Sequence, residues 1–428
     1  MNTALDHVAA QLLIPPAGLA LCIDWDAAMQ TNPANSSPFL QAKYIAQAAH
    51  NVFLTDDMIR KLVAFAPRVA SDESLLAFFW YCRHRILTDS TLTESWEAPW
   101  PALDDYLEAD AGLLNVLVML AAVPQMLEVY RCLGIPADLY HDTISDLRLW
   151  METDFYFHRY QRWGITPWIA RWLCHHWHGI ILQLGRLQFS LGKFGGRLNA
   201  YRHRQTRQVI ALSEAGIRYT SAGSMWRECC GEDSDAWTST LESTGDSVTG
   251  NPITPNGLAH RTTHSLLLAD WELVLTHNAD VLVFHVPAGA PLTFESCGDS
   301  FHRALEAFPR FYPDFHFRAF WTSTWMMDPR LQKLLGPESN IVRIQREMYV
   351  YPGLQGDNNQ YYERIFGWGA QDINTVEWKT SLQKTIGAYL NNGGHFHGGY
   401  CFLLNDDFNW GGQVYLQQLA GAQQVNNQ

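Results

Sequence analysis

The sequence predicts an α+β protein, a helical N-terminal part followed by a mixed β-sheet with crossover helices. Up to about residue 184 the apolar residues recur at helical spacing. From about residue 185 apolar and polar residues alternate, as in half-buried strands. Residues 281–346 then run as an apolar segment, a Pro-Gly-Pro loop, an amphipathic helix, a second apolar segment, a short helix and a third apolar segment. That order reads as β-α-β-α-β, a sheet carrying crossover helices.

In the helical part, PFLQAKYIAQAAHNVF has helical spacing. TDDMIRKLVAFA opens at Thr55, with Asp56 and Asp57 in the first turn, where carboxylates favour the helix dipole. SDESLLAFFWYCRHRILTD opens in the same way at Ser71. Pro124 opens PQMLEVYRCLG and Gly134 stops it. ADLYHDTISDLRLWMETDFYFHRY and TPWIARWLCHHWHGIILQLG are expected to form two long helices divided at Trp163-Gly164.

In the second part, GRLQFSLGKFGG and AYRHRQTRQVIALSEAGIRYT are expected as strands and hairpins. Residues 229–257 are polar and rich in Ser, Thr and Gly. They read as an excursion with little core of its own, holding a strand pair around Trp237 to Leu241. THSLLLADWELVLTHNADVLVFHV supplies two strands. After Tyr351 come an Asp/Asn/Gly loop, the helix TSLQKTIGAYLNN stopped by Gly393-Gly394, and a last strand, YCFLL. The tail, 406–428, is rich in Gln and Asn and is expected to fray. The expected domains are therefore 1–184 and 185–405.

Composition narrows the function. Of the 428 residues, 47% are apolar and 17% charged, a globular balance with room for more than one core. The net charge of −13 argues against nucleic acid as a bulk partner, which would call for excess Lys and Arg. The N-terminus lacks a basic segment before an apolar core. The longest apolar stretch, near Leu113 to Val123, is shorter than a membrane span and contains Asn115. The eight cysteines are scattered with no CxxC pair, so neither a zinc ribbon nor a disulfide framework is expected. A cytoplasmic protein without membrane partners fits best. The 17 tryptophans are accounted for most simply by large aromatic cores.

A set of motifs resembles a known family. HVPAGAPLTFESCGDSFHRA, FRAFWTSTWMMDPRL and ESNIVRIQRE are similar to the C-terminal half of bacterial acyltransferase domain-containing proteins. These join a helical N-acyltransferase N-terminal domain to a GNAT-like C-terminal domain. RWGITPW, LGRLQF, YRHRQTRQVIALSEAGIRY, GNPI, DWELVL, TSLQKTI and GGHFHGGYCFLL extend the resemblance over residues 100–405. It implies an N-acyltransferase that moves an acyl group from acyl-CoA, as co-substrate, to an amine by direct attack. The alternative is a GNAT-like binding or regulatory protein that has lost CoA use. A third reading, partner binding through 229–257, belongs to the polar excursion alone.

The loop between Val286 and Thr293 lies where a strand hands over to a helix, a junction that suits anionic or acyl ligands. The resemblance places CoA there, on Val286, Ala288, Gly289, Ala290 and Thr293. The residues themselves fit phosphate poorly. Pro287 and Pro291 carry no N–H, no Lys or Arg occurs between 285 and 302, and Glu295 brings negative charge to the first turn. A tight structural turn is the competing reading.

A GNAT-like reaction needs a base, an oxyanion donor and an acid for the leaving thiolate. His285, at a strand end beside the loop, is the candidate base, against a core or backbone-bonded histidine. Ser323 is a candidate donor to the leaving group, while capping of the helix near Asp328 is the favoured reading of Ser323 and Thr324. Trp325 suits the wall of an acyl pocket or an ordinary core. In NIVRIQRE, read as a strand, Arg343 and Gln345 share a face that lines a cleft or an edge. Tyr349 and Tyr351 continue that face as alternative acids. His175, His176 and His178 lack an HExxH pattern and a carboxylate at ligand spacing, as do His395 and His397, so no metal is expected. Cys229-Cys230 stands beside no evident base.

Overall fold

The computed structural model describes residues 4–31, 37–89, 92, 97–153, 155–227, 233–353, 362–367, 372–396 and 398–425. The chain divides into two compact units. One comprises Met1–Leu184 with Pro287–Gly289, the other Gly185–Val286 with Ala290–Gln428.

The first unit is helical as far as the strand Ile181–Leu184. At its centre, the helix Ala111–Ala121 is buried along its whole length, as an all-round apolar helix must be. Its one polar side chain is satisfied. Asn115 accepts from Trp100 Nε1 at 2.9 Å and donates to Ile165 O at 2.8 Å. Asp56–Ser71 is capped by the Thr55 hydroxyl. The next helix, Glu73–Thr88, starts later than Ser71 because the Asp72 carboxylate takes the Leu75 N–H and acts as its cap.

The two long helices expected on either side of Trp163-Gly164 are shorter than predicted. The first segment breaks at Ser145, between Ala137–Ile144 and the helix that begins at Asp146, and the second helix is Pro167–Trp177. At Gly164 the chain passes Gly112 backbone to backbone. A Cβ at Gly164 would lie 2.7 Å from Gly112 Cα, so both positions need glycine. Gly179, at φ +64°, then turns the chain out of its last helix.

The second unit carries a five-strand array in the order Leu187–Lys193, Asp280–His285, Ala319–Thr324, Gly399–Leu404, Tyr349–Pro352. Every neighbour is antiparallel except Asp280–His285 and Ala319–Thr324. That parallel pair is joined by the crossover helix Phe294–Phe311. The helix covers one face of the sheet, where Phe301 meets Phe189, Phe284 and Phe320 with ring centroids 4.9 to 5.5 Å apart.

NIVRIQRE is not a strand. Asn340–Glu347 is an α-helix with Val342, Ile344, Gln345 and Glu347 buried. The third strand is the shorter Tyr349–Pro352. A second sheet runs Leu258–Ala259, Pro252–Thr254, Val209–Ser213, Leu198–His203, Trp271–Leu275. The polar excursion is better built than its composition predicts. Trp237–Thr238 pairs with Arg218–Tyr219, while Leu241–Thr244, Ser247–Gly250 and His264–Leu267 form a three-stranded sheet. Its Val248 packs with Leu212, Leu266 and Tyr201. The tail does not fray at Asn405, since Val414–Val425 is a helix. Tyr415 is fully buried there and accepts the Leu404 N–H at 2.9 Å.

Candidate active site

The sequence places its candidate chemistry at the C-terminal ends of the parallel pair, and the structure gives that place a shape. Val281, Leu282 and Val283 pair with Ala319, Phe320 and Trp321, and the ladder stops there. Both strands continue. Phe284 and His285 still pair outward with Phe189 and Gln188, and Thr322, Ser323 and Thr324 with Cys401, Tyr400 and Gly399. Beyond Val283 and Trp321 the two parallel strands keep their outer partners and no longer pair with each other, which makes the seam between them the candidate slot in the sheet.

Side chains alternate along each strand, so the faces of the slot follow from the packing. Phe284 and Phe320 point into the aromatic core under Phe294–Phe311. Val283, His285, Trp321 and Ser323 therefore occupy the opposite face. His285 is half-buried, with Nε2 3.2 Å from Ser190 Oγ. Ser323 is exposed. Sequence reasoning chose both, and the structure puts them on one face on either side of the seam.

Trp321 and Ser190 were missed. Trp321 is the last paired residue of its strand, and its indole N–H donates to Tyr351 Oη at 2.8 Å. Ser190 lies in the strand Leu187–Lys193, and its link to His285 depends on strand register that a single sequence does not carry.

Other candidates serve the framework. Tyr349 is fully buried. Its hydroxyl donates to Ile253 O and accepts from Ala211 N–H at 3.1 Å, and burial pushes its ionisation far upward. It is a strut between sheets, not an acid open to a substrate. Tyr351 is buried too. Gln345 is buried, and its amide donates to Met326 O at 2.6 Å and Asp328 O at 3.1 Å, which removes it from substrate contact. Thr324 caps the turn Trp325–Met327 through the Met326 N–H. Trp325 packs against a small core of Leu331, Ile365, Phe366, Ile373, Ile386 and Phe396. Cys229-Cys230 and His397 lie outside the described residues.

Thr293 caps Phe294–Phe311, with its hydroxyl accepting the Ser296 N–H in a capping box. That uses one first-turn donor an anion would otherwise take. Arg343, on the helix Asn340–Glu347, brings a cation to the same turn. Its guanidinium lies 4.1 Å from the Phe294 ring centroid and 3.1 Å from Glu295 Oε1. The missing basic residue thus comes from elsewhere in the chain. Val286 is half-buried, while Ala288, Gly289 and Ala290 are exposed, and Gly289 takes φ +108°.

The histidine cluster is structural. His178 Nε2 lies 2.7 Å from Ile86 O, and His175 Nδ1 3.0 Å from Trp172 O. His176, fully buried, sits 3.2 Å from Asp146, whose carboxylate also accepts from Trp150 and Trp172 at 3.0 Å each. Burial alone would raise the Asp146 carboxyl. The His176 contact and the two indole N–H groups outweigh it and hold the carboxyl below its usual range. Among the described residues no group of three or more His, Cys, Asp or Glu is placed to hold a metal ion. No single helix there is long and apolar enough to cross a membrane. A pocket of ≈ 270 Å³ lies where Asp235 and Trp237 of the polar excursion meet Ser221, His260 and Arg261 on either side of it, and includes none of the predicted site residues.

A helical first part, then a mixed sheet whose one parallel pair stops pairing at its C-terminal ends beside a crossover helix, defines a two-part protein with a GNAT-like second part. Residues 181–403 match the GNAT-like C-terminal domain and residues 44–179 the N-acyltransferase N-terminal domain, so the chain belongs to the family that carries this GNAT-like domain. No curated protein matches it. Among solved structures it is similar to an acyltransferase in complex with decanoyl-CoA and teicoplanin, and to a mutant acyltransferase in complex with octanoyl-CoA. Each matches at TM-score 0.66 and 20% identity, over 94% of this chain and 99% of the other. At that identity the likeness is one of fold.

Proposed function

We propose that this protein is an acyl-CoA-dependent N-acyltransferase whose donor thioester lies in the slot between Asp280–His285 and Ala319–Thr324. The observation that carries this reading is the end of the parallel ladder at Val283 and Trp321. The amine nitrogen attacks the thioester carbonyl directly, forming the C–N bond as the C–S bond breaks. His285 takes the proton released from the amine, and Ser323 donates to the departing thiolate. The N-terminus of Phe294–Phe311 and Arg343 favour the donor's phosphates. The donors named for the two similar structures, octanoyl-CoA and decanoyl-CoA, support this class of co-substrate.

A non-catalytic GNAT-like binding protein is the second reading. It is favoured by the N–H-free Pro287 and Pro291 and by the Glu295 charge. Calorimetric titration with CoA and acyl-CoAs, followed by mass-spectrometric assay with a panel of amines, separates the two. Binding with turnover on an amine supports transfer, and a folded protein that binds neither CoA nor any acyl-CoA supports the second reading, a GNAT-like protein that has lost CoA use. No heat and no thermal shift at millimolar acyl-CoA would sink donor use altogether.

A further inference from the structure

We infer that Trp321 is the residue that sets the length of acyl group this protein accepts. The inference rests on the acyl-donor reading above and names a specificity determinant within the same slot.

An acyl group entering the slot has two faces to turn to. The face under Phe294–Phe311 is closed, because Phe189, Phe284, Phe301 and Phe320 are all fully buried and packed ring against ring. A chain of methylenes has no space among them without displacing an aromatic ring. The acyl group must therefore follow the opposite face, which carries His285 and Ser323 at the open end and Trp321 at the apex.

Trp321 is held across that path. Its N–H is fixed on Tyr351 Oη at 2.8 Å, and its ring sits 6.0 Å from Phe194 and 6.3 Å from Tyr400. Two glycines after the strand Leu187–Lys193 make room for this arrangement and leave little over. A Cβ at Gly195 would come within 3.0 Å of the indole, and one at Gly196 within 2.4 Å of both Tyr351 Oη and the Phe194 ring. The space beyond the apex is thus filled by the indole and its supports. Tyr351 acts through Trp321 and is a positioning residue.

The test is a binding series of free CoA, acetyl-, butyryl-, octanoyl- and decanoyl-CoA, measured by calorimetry on the full chain and on Trp321→Ala. For the unaltered protein, acetyl- and butyryl-CoA are expected to bind more tightly than decanoyl-CoA. Trp321→Ala is expected to tighten decanoyl-CoA by about tenfold or more, the scale at which a hydrophobic pocket discriminates length, with free CoA unchanged. Trp321→Phe, which keeps an aromatic ring, covers the case in which the alanine variant does not fold. It is expected to move the preference the same way by a smaller step. Tyr351→Phe, which removes the hydroxyl acceptor and keeps the ring, is expected to loosen the length preference without affecting free CoA. A length profile that is the same in the folded variants as in the unaltered protein overturns the assignment while CoA binding stands. Failure of every protein to bind CoA overturns the donor reading and this inference with it.

Discussion

His285 and Ser190 touch across an antiparallel pair, Nε2 to Oγ at 3.2 Å, although 95 residues separate them in sequence. Ser190 sits opposite Val283, so its hydroxyl meets the imidazole diagonally, on the face of the sheet that bears Trp321 and Ser323. If His285 removes the amine proton, His285→Ala should lower kcat by about 10²- to 10⁴-fold, the usual worth of a positioned base. The Kd for acyl-CoA should stay within about twofold, since base work is felt in the transition state. Ser190→Ala should lower kcat less, by about fivefold, because a hydrogen bond that only orients the ring contributes about 1 kcal/mol. Steady-state kinetics with calorimetry checks both. An unchanged kcat in His285→Ala would remove the base assignment.

Tyr349 offers the opposite case. Its hydroxyl joins Ile253 O to the Ala211 N–H inside the unit. Tyr349→Phe leaves both backbone groups buried without this partner, which should cost about 1–3 kcal/mol of stability. The rate per folded molecule should be unchanged. Denaturant titration read together with kcat distinguishes this strut from an acid, which would lose rate and keep stability.

Asp146 predicts an acid limit for the helical unit. Its carboxyl is held below the usual range in the folded protein, so the charged form is favoured by folding. That stabilisation is complete above the unfolded value of about 4 and is lost as pH falls below it through the folded value. Asp146→Asn breaks a buried contact with His176 and should cost about 3–5 kcal/mol at neutral pH. The same substitution should flatten the fall in stability below about pH 4. Thermal unfolding between pH 2 and 7, followed by helical signal, checks the slope.

The tail supplies the fourth test. Tyr415 is buried against Phe402 and Tyr349, and the Glu347 carboxylate accepts the N–H groups of Gly411 and Gln413 at 2.9 and 3.2 Å. Tyr415→Ala should therefore destabilise by about 3–5 kcal/mol, as for other buried rings. Removal of residues 406–428 should do at least as much. A tail that merely frays would leave the midpoint of denaturant unfolding where it was.

The helical part, the strand-loop-helix block and the His285–Ser323 side of the slot were legible because each rests on local periodicity or on a strand end. NIVRIQRE was not, because eight residues with Val342 and Ile344 two apart satisfy a strand as well as a helix. The helix is settled by burial of Gln345 and Glu347, whose partners lie at 326, 328, 411 and 413. The tail misled through composition. Gln418, one of the glutamines that made it look frayed, accepts the Val209 N–H at 3.0 Å and donates to Arg207 O at 3.3 Å. The place of Trp321 at the end of the parallel ladder is not legible in FRAFWTSTW, because it depends on strand register.

The strand Gly399–Leu404 lies between Ala319–Thr324 and Tyr349–Pro352, yet it is the last strand of the sheet in sequence. During synthesis, both of its neighbours emerge with unpaired edges facing the gap it will fill. Such edges invite pairing with the wrong chain. The side of the sheet that carries Ala319–Thr324 therefore cannot mature as it leaves the ribosome. It waits, open on one flank, until residue 404 has cleared the exit tunnel, and the yield of folded protein should respond to translation speed over that last stretch and to chaperones that shield a bare strand.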